Sequence, residues 1–253
     1  LVTNDDGVGA EGLSALVQAA SALGTVKVAA PDRERSACGH AMTLRDPLRV
    51  DPFPMPGVEA LAVNGFPVDC VNVGLTLLWP DGCDLVLSGM NPGPNLGFDA
   101  TYSGTVAGAM EGAVNGVRSY AVSMATFAVG APYHFETGVA WLAENWDYLF
   151  SLPSPLRTFW NVNIPAVAAA EVRGARLTRM GRRVYEDRVE AREDPWGRPY
   201  FWQGGVVTTA EEGEEFDVGA VANGLVSLTP MTLDWTDASV LASLQAAQPV
   251  DQR

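Results

Sequence analysis

The chain begins LVTNDDGVGAEGL, and in it Asp5 and Asp6 stand side by side. Two carboxylates at that separation repel each other unless something cationic lies between them. They follow a short apolar stub, and Gly7 comes directly after them. Two more polar clusters also follow apolar runs: APDRERSACGH, which contains Ser36, and SGMNPGPNLGFDATYSGT, with Asn91 near its head. Each cluster has an ordinary explanation. Asp-Asp-Gly forms turns, and an aspartate there caps a following helix. A serine such as Ser36 starts turns or caps helices, and Asn-Pro at Asn91 starts a turn. Their coincidence argues for more. If the three apolar runs are strands of one parallel sheet, all three clusters leave it at the carboxyl edge, where open α/β sheets bind ligands. Two carboxylates, a hydroxyl and an amide carbonyl are hard oxygen ligands, suited to Mg²⁺, Mn²⁺ or Ca²⁺ rather than zinc.

The third cluster runs on into Tyr102, Ser103, Gly104 and Thr105, at the start of a helical pattern. The free backbone N–H groups of a helix N-terminus with small residues bind phosphate. The plainer alternative is that Ser103 only caps that helix. A cation and an anion nest side by side point to phosphoryl chemistry. Arg33 and Arg35 are the nearest candidates for additional positive charge.

The elements that must position these groups show in the spacing of apolar residues. Residues 1–3 read as the end of a buried strand. Leu13, Leu16, Val17, Ala20 and Leu23 have helical spacing, so a helix is predicted over 10–23, stopped by Gly24. Strands are predicted at TVKVAAP, EALAVNG, CDLVLSG and SYAVSMAT, with helices over 67–79, 105–117 and 134–150. TFWNVNIP closes this alternation, which predicts a doubly wound, Rossmann-like αβα core with a mostly parallel sheet over residues 1–180. Beyond it, residues 181–253 form a β-rich extension that is not an independent domain. It contains a hairpin around a turn at 194–197, a strand at NGLVSLTPM and a mostly polar tail over 245–253. A TIM barrel is the rival fold, but eight even βα units are not visible.

Composition narrows the function. With 253 residues, 47% hydrophobic, the chain can bury one large core. A formal net charge of −14 disfavours nucleic acid and anionic membranes as partners. Cys38, Cys70 and Cys83 have no CxxC spacing, which argues against zinc and fits a reducing, cytoplasmic location. His40 and His134 are the only histidines, too few for a His-rich metal site. No apolar run approaches the ~20 residues of a membrane span, and no signal peptide is visible. Trp196, Tyr200, Phe201 and Trp202 crowd the predicted hairpin, and such a dense aromatic group predicts an intersubunit contact over 187–202.

LVTNDDG, APDRERSACGHAMTL, LSGMNPGPNLG and YSGTVAGAMEG resemble, in order, the signature blocks of the SurE family (survival protein E). NVNIP and NGLVSLTP resemble its later blocks. The resemblance implies a 5′(3′)-nucleotidase with one divalent cation per subunit, Mg²⁺ or Mn²⁺, with Ca²⁺ admissible. By position, the family's metal ligands fall on Asp5, Asp6, Ser36 and Asn91, and its phosphate-binding loop falls on Asn95, Ser103, Gly104 and Thr105. The family also implies a homodimer or homotetramer built partly by exchanged C-terminal segments. Two positions depart from the family's pattern. Phe98 stands where an acidic residue is frequent beside Asp99, and Val8-Gly9 replaces a bulkier pair.

The expected reaction is hydrolysis of nucleoside monophosphates by a metal-activated water. Asp5 and Asp6 are its central residues, with Asp5 the group that would orient or deprotonate the water and Asp99 the weaker candidate base. A haloacid-dehalogenase-type phosphatase is one alternative, but it needs two aspartates two positions apart. A dinucleotide-binding oxidoreductase would use the GxGxxG spacing of Gly7, Gly9 and Gly12, but two carboxylates would then face the pyrophosphate. A non-catalytic nucleotide-binding protein is the third.

Overall fold

The computed structural model describes residues 1–128 and 130–247. The first half alternates strand and helix: β1 (Val2–Thr3), α1 (Glu11–Ala20), β2 (Lys27–Pro31), β3 (Val50–Pro52), β4 (Glu59–Val63), α2 (Pro67–Leu77), β5 (Leu85–Pro92), α3 (Gly104–Val114) and β6 (Arg118–Ala125). Then come α4 (Phe135–Ser151), β7 (Thr158–Pro165), β8 (Ala175–Leu177), β9 (Arg183–Glu193), β10 (Pro199–Ala210), α5 (Asp217–Ala222), β11 (Val226–Thr232) and α6 (Ala238–Ala247). The main sheet has the order β3-β4-β2-β1-β5-β6-β7-β11-β8.

From β4 to β7 every pairing in that sheet is parallel. The order of these strands is that of a doubly wound sheet, reversing direction at β1. β1 therefore has β2 on one side and β5 on the other, and the three polar clusters leave from three neighbouring strands. The strands read as continuous apolar runs because both faces are covered: α1 packs against α4, and α2 against α3. Leu13, Leu16, Val17 and Ala20 of α1 are buried as their spacing predicts. The Trp146 indole of α4 donates to the Ala19 carbonyl at 3.2 Å, pinning the two helices together.

Several elements differ from the sequence reading. α1 ends at Ala20, and Leu23 lies beyond it, more than a third exposed. The edge strands β3 and β8 and the short helices α5 and α6 were not anticipated. β3, β8 and α5 are too short for a periodicity signal; α6 has ten residues, and residues 245–247 of the expected polar tail belong to it. The rest of that tail, 248–253, lies outside the described residues. The hairpin is present as β9 and β10, closed at Asp194, whose N–H donates to the Arg198 carbonyl at 2.9 Å. After it the chain returns to the main sheet, where β11 pairs antiparallel with β7.

Candidate active site

The turn after β1 is set by Asn4, which is fully buried. Its side chain accepts from the Gly7 N–H at 3.2 Å and donates to the Gly7 carbonyl at 3.0 Å. This closed loop fixes Asp5 and Asp6 at the strand exit. Gly12 lets α1 start immediately over the sheet, since a Cβ there would lie 2.0 Å from the Met90 carbonyl. Two of the three glycines in the dinucleotide-like spacing thus serve turn and helix packing.

Asp5 is buried and faces the N-terminus of α3. Thr105 donates its hydroxyl to Asp5 Oδ1 at 2.5 Å. The approach depends on Gly104, because a Cβ there would lie 2.6 Å from Asp5 Cβ and 2.7 Å from Cys38 Sγ. Burial pushes the Asp5 carboxyl above its usual range, while the Thr105 hydroxyl and the Thr105 and Gly104 N–H groups pull it down. Asp6 has only its own backbone N–H to lower it. Its Oδ2 is buried without a hydrogen-bond partner. Burial first, then the charges of Asp5 and Glu34, push its carboxyl up to about 7.

The second cluster reaches the same place through its backbone. The Arg35 N–H donates to the Asp5 carbonyl at 2.6 Å, which sets Ser36 directly after a contact with the first cluster. Ser36 donates its hydroxyl to Glu34 Oε1 at 2.7 Å. Farther along, Gly39 N–H donates to the Tyr102 carbonyl at 2.8 Å, and His40 Nε2 lies 3.0 Å from Glu111 Oε2 on α3. His40 thus ties the Ser36 loop to the helix. Asn91 lies at the end of β5, just past a bulge between Gly89 and Asn91. Such irregularities re-aim side chains near sites. The Asn91 amide nitrogen donates to the Gly93 carbonyl at 2.8 Å, so its oxygen points elsewhere.

Ser103 is the N-cap of α3, its oxygen accepting from the Val106 N–H at 3.1 Å. Capping uses the oxygen as acceptor and leaves the hydroxyl proton to donate. Asn95 is buried in a polar lattice. Its carbonyl accepts from Asn161 and Asn163, its N–H donates to Asn163 Oδ1, and its side chain donates to Ser123 at 2.9 Å. Asp99 is removed from this group, engaged in an ion pair with Arg183. Sequence reasoning missed Glu34, Asn161, Asn163 and Arg183. Two asparagines at i and i+2 in the buried run NVNIP were a readable signal, since both fall on one face of a strand.

The residues fit a hard divalent cation. Buried Asp5 and half-buried Asp6 crowd one strand exit, the buried Oδ2 of Asp6 is unpartnered, and the neighbouring donors are oxygens. Cys38 is the nearest soft donor, and burial, with the Asp5 charge, pushes its thiol up to about 11.

Fold and site together define a doubly wound α/β protein that sets paired carboxylates against a helix N-terminus at its switch point. The chain matches the family described as Survival protein SurE over residues 1–187. It is 45% identical to the 5'-nucleotidase SurE of Geobacter sulfurreducens, the match covering 97% of this chain and 92% of that protein. It is 47% identical to the 5'-nucleotidase SurE of Syntrophotalea carbinolica, covering 94% and 92% respectively. The crystal structure of SurE protein from Aquifex aeolicus superposes with a TM-score of 0.82 at 39% identity, covering 98% of each chain. This chain belongs to the SurE family.

Proposed function

We propose that this protein is a metal-dependent 5′/3′-nucleotidase, a phosphoric monoester hydrolase acting on nucleoside monophosphates. The observation that carries the reading is the unpartnered, buried Asp6 oxygen beside Asp5, at a strand exit facing the N-terminus of α3. The names of the relatives support it. Asp5, Asp6, Ser36 and Asn91 would hold one divalent cation, Mg²⁺ or Mn²⁺ by the oxygen-only donor set. When bound, the cation supplies Lewis acidity, making water a better nucleophile and offsetting charge on the phosphoryl oxygens.

The chain's own groups do the rest. Asp5, oriented by Thr105, takes up or directs the water's proton. Asp99 is the weaker base because Arg183 already engages its carboxylate. The Ser103 hydroxyl and the first N–H groups of α3, at Gly104 and Thr105, hold phosphate oxygens. Asn95 has one amide hydrogen left for the same task. Negative charge developing on the transferring group is thereby met by donors already in place.

A dinucleotide cofactor is disfavoured, because Asp5 and Asp6 stand where its pyrophosphate would lie. A cytoplasmic location is supported by three unpaired cysteines. Among the described residues, no helix is long and apolar enough to cross a membrane. A homodimer or homotetramer is supported by the exposure of Trp196, Phe201 and Trp202 on the hairpin.

The test is turnover of a panel of nucleoside monophosphates by metal-stripped protein reconstituted with Mg²⁺, Mn²⁺, Ca²⁺ or Zn²⁺ in turn. Activity restored by Mg²⁺ or Mn²⁺ and unchanged in Cys38→Ala is expected. Best activity with Zn²⁺, lost in Cys38→Ala, would mean a different ligand set. Phosphate trapped covalently on Asp5 would revive the aspartyl-phosphate alternative.

A further inference from the structure

The segment from Asn95 to Ser103 carries proposed phosphate donors at both ends, yet its only regular structure is the 3-10 turn Gly97–Thr101. Its ends are tied to β6 and β7 through Asn95 and to the Ser36 loop through Tyr102, and its middle is held from outside, by the C-terminal extension. Asp217, at the start of α5, is fully buried. One carboxylate oxygen accepts from the Gly97 N–H at 2.8 Å. The other accepts from Gly181 N–H at 2.7 Å and from Val218 N–H at 2.8 Å. Three separate pieces of chain thus meet on one side chain: the phosphate loop, the root of the hairpin and α5.

The fit at this point is close. Gly97 has φ +55°, and a Cβ there would lie 2.6 Å from the Gly181 carbonyl. Arg183, the first residue of β9, pairs with Asp99 in the same 3-10 turn and packs over the Phe127 ring at 5.8 Å. The hairpin root therefore grips the loop twice, once through the Gly181–Asp217–Gly97 bridge and once through Arg183–Asp99.

We propose that Asp217 is a positioning residue for phosphate binding: it locks the Asn95-to-Ser103 loop to the hairpin root, with Arg183–Asp99 as the second tie. Asp217 touches no metal ligand and acts through the Gly97 backbone. The inference rests on the phosphate-loop reading above. It separates two functions of the site. The proposed metal ligands lie outside residues 95–103, Asn91 being held in β5 by its pairing with β6, so loosening the loop weakens phosphate recognition and leaves cation binding intact. A displacement on the order of 1 Å at such a loop costs about 10²-fold in rate.

The experiment compares wild type with Asp217→Ala, Arg183→Met and Arg183→Lys. Two quantities are read: Mn²⁺ affinity by calorimetry, and the Ki of inorganic phosphate against nucleoside monophosphate turnover. In Asp217→Ala, phosphate Ki rises and kcat/KM falls at least about tenfold, with Mn²⁺ affinity within about twofold of wild type. Arg183→Met moves phosphate Ki the same way by less, and Arg183→Lys restores it. Unchanged phosphate Ki in a folded Asp217→Ala overturns the proposal, as does parallel weakening of Mn²⁺ and phosphate. If Asp217→Ala does not fold, Arg183→Met decides alone, and a wild-type phosphate Ki there overturns it. Wild-type protein that neither turns over nucleotides nor binds phosphate overturns the nucleotidase reading itself, a result distinct from any difference among variants.

Discussion

Thr105 gives its hydroxyl proton to Asp5 across the gap between the start of α3 and the end of β1, at 2.5 Å. The two residues are 100 positions apart, and each belongs to a different half of the proposed site, one to phosphate and one to metal. The bond spends the Thr105 hydroxyl on Asp5, and the Thr105 and Gly104 N–H groups also act on that carboxylate. Replacing Thr105 by Val keeps the shape and removes the donor. Expected is a fall in kcat of about 10- to 100-fold, the cost typical of groups that orient a metal's ligands. Thr105→Ser should recover most of it. Equal kcat in Val and Ser variants would show that the hydroxyl orients nothing.

Asp6 makes stability depend on pH in metal-stripped protein. Its folded carboxyl is pushed up to about 7 by burial and by the charges of Asp5 and Glu34, against about 3.9 in an unfolded chain. Below about pH 4 the group is protonated in both states, and its contribution to stability is fully present. As pH rises toward about 7 the folded state holds a proton that the unfolded state has released, so stability falls and then levels off. Asp6→Asn lacks this loss. Melting temperatures in chelator should therefore diverge with rising pH, the variant exceeding wild type by a few degrees near pH 8. Turnover in Asp6→Asn should nonetheless collapse at saturating Mg²⁺. A pH-independent gap in melting temperature contradicts the burial argument, and wild-type turnover contradicts the site.

Ser36 and Asn91 are neutral donors, so each tunes cation binding without creating it. Ser36→Ala and Asn91→Ala are expected to weaken Mn²⁺ affinity by roughly 10- to 100-fold, read by calorimetry. Ser36→Ala also frees Glu34 from its bond with the Ser36 hydroxyl. Unchanged affinity in both would return the pair to turn formation.

The hairpin's aromatic tip predicts assembly. Deleting residues 190–198 removes Trp196 and the Asp194 turn while leaving β11 in the main sheet. The mass in solution should drop to a smaller species. An oligomer of undiminished size would place the contact elsewhere.

The sequence alone determined the strand–helix alternation and the strand exits. Both are local properties. Leu13, Leu16, Val17 and Ala20 repeat with the period of a helix whatever they pack against, and runs such as LVLSG are continuous because both faces of a parallel strand are covered. Hard oxygen donors at those exits, and small residues opening α3, were legible for the same reason. Short elements were not, since β3, β8 and α5 hold too few residues for a period to show. Tertiary structure decided which donors meet and which are already spent. Asn95 is tied to Asn161, Asn163 and Ser123 with one amide hydrogen to spare, and the Asp99 carboxylate is engaged by Arg183. It also decided that Gly104 must be small, because Asp5 and Cys38 lie where its side chain would go. It made Asp217 the knot beneath the phosphate loop, although 120 residues separate it from Gly97. Hydrogen bonds between such distant residues depend on how the sheet is ordered and the helices laid over it, which no local pattern encodes.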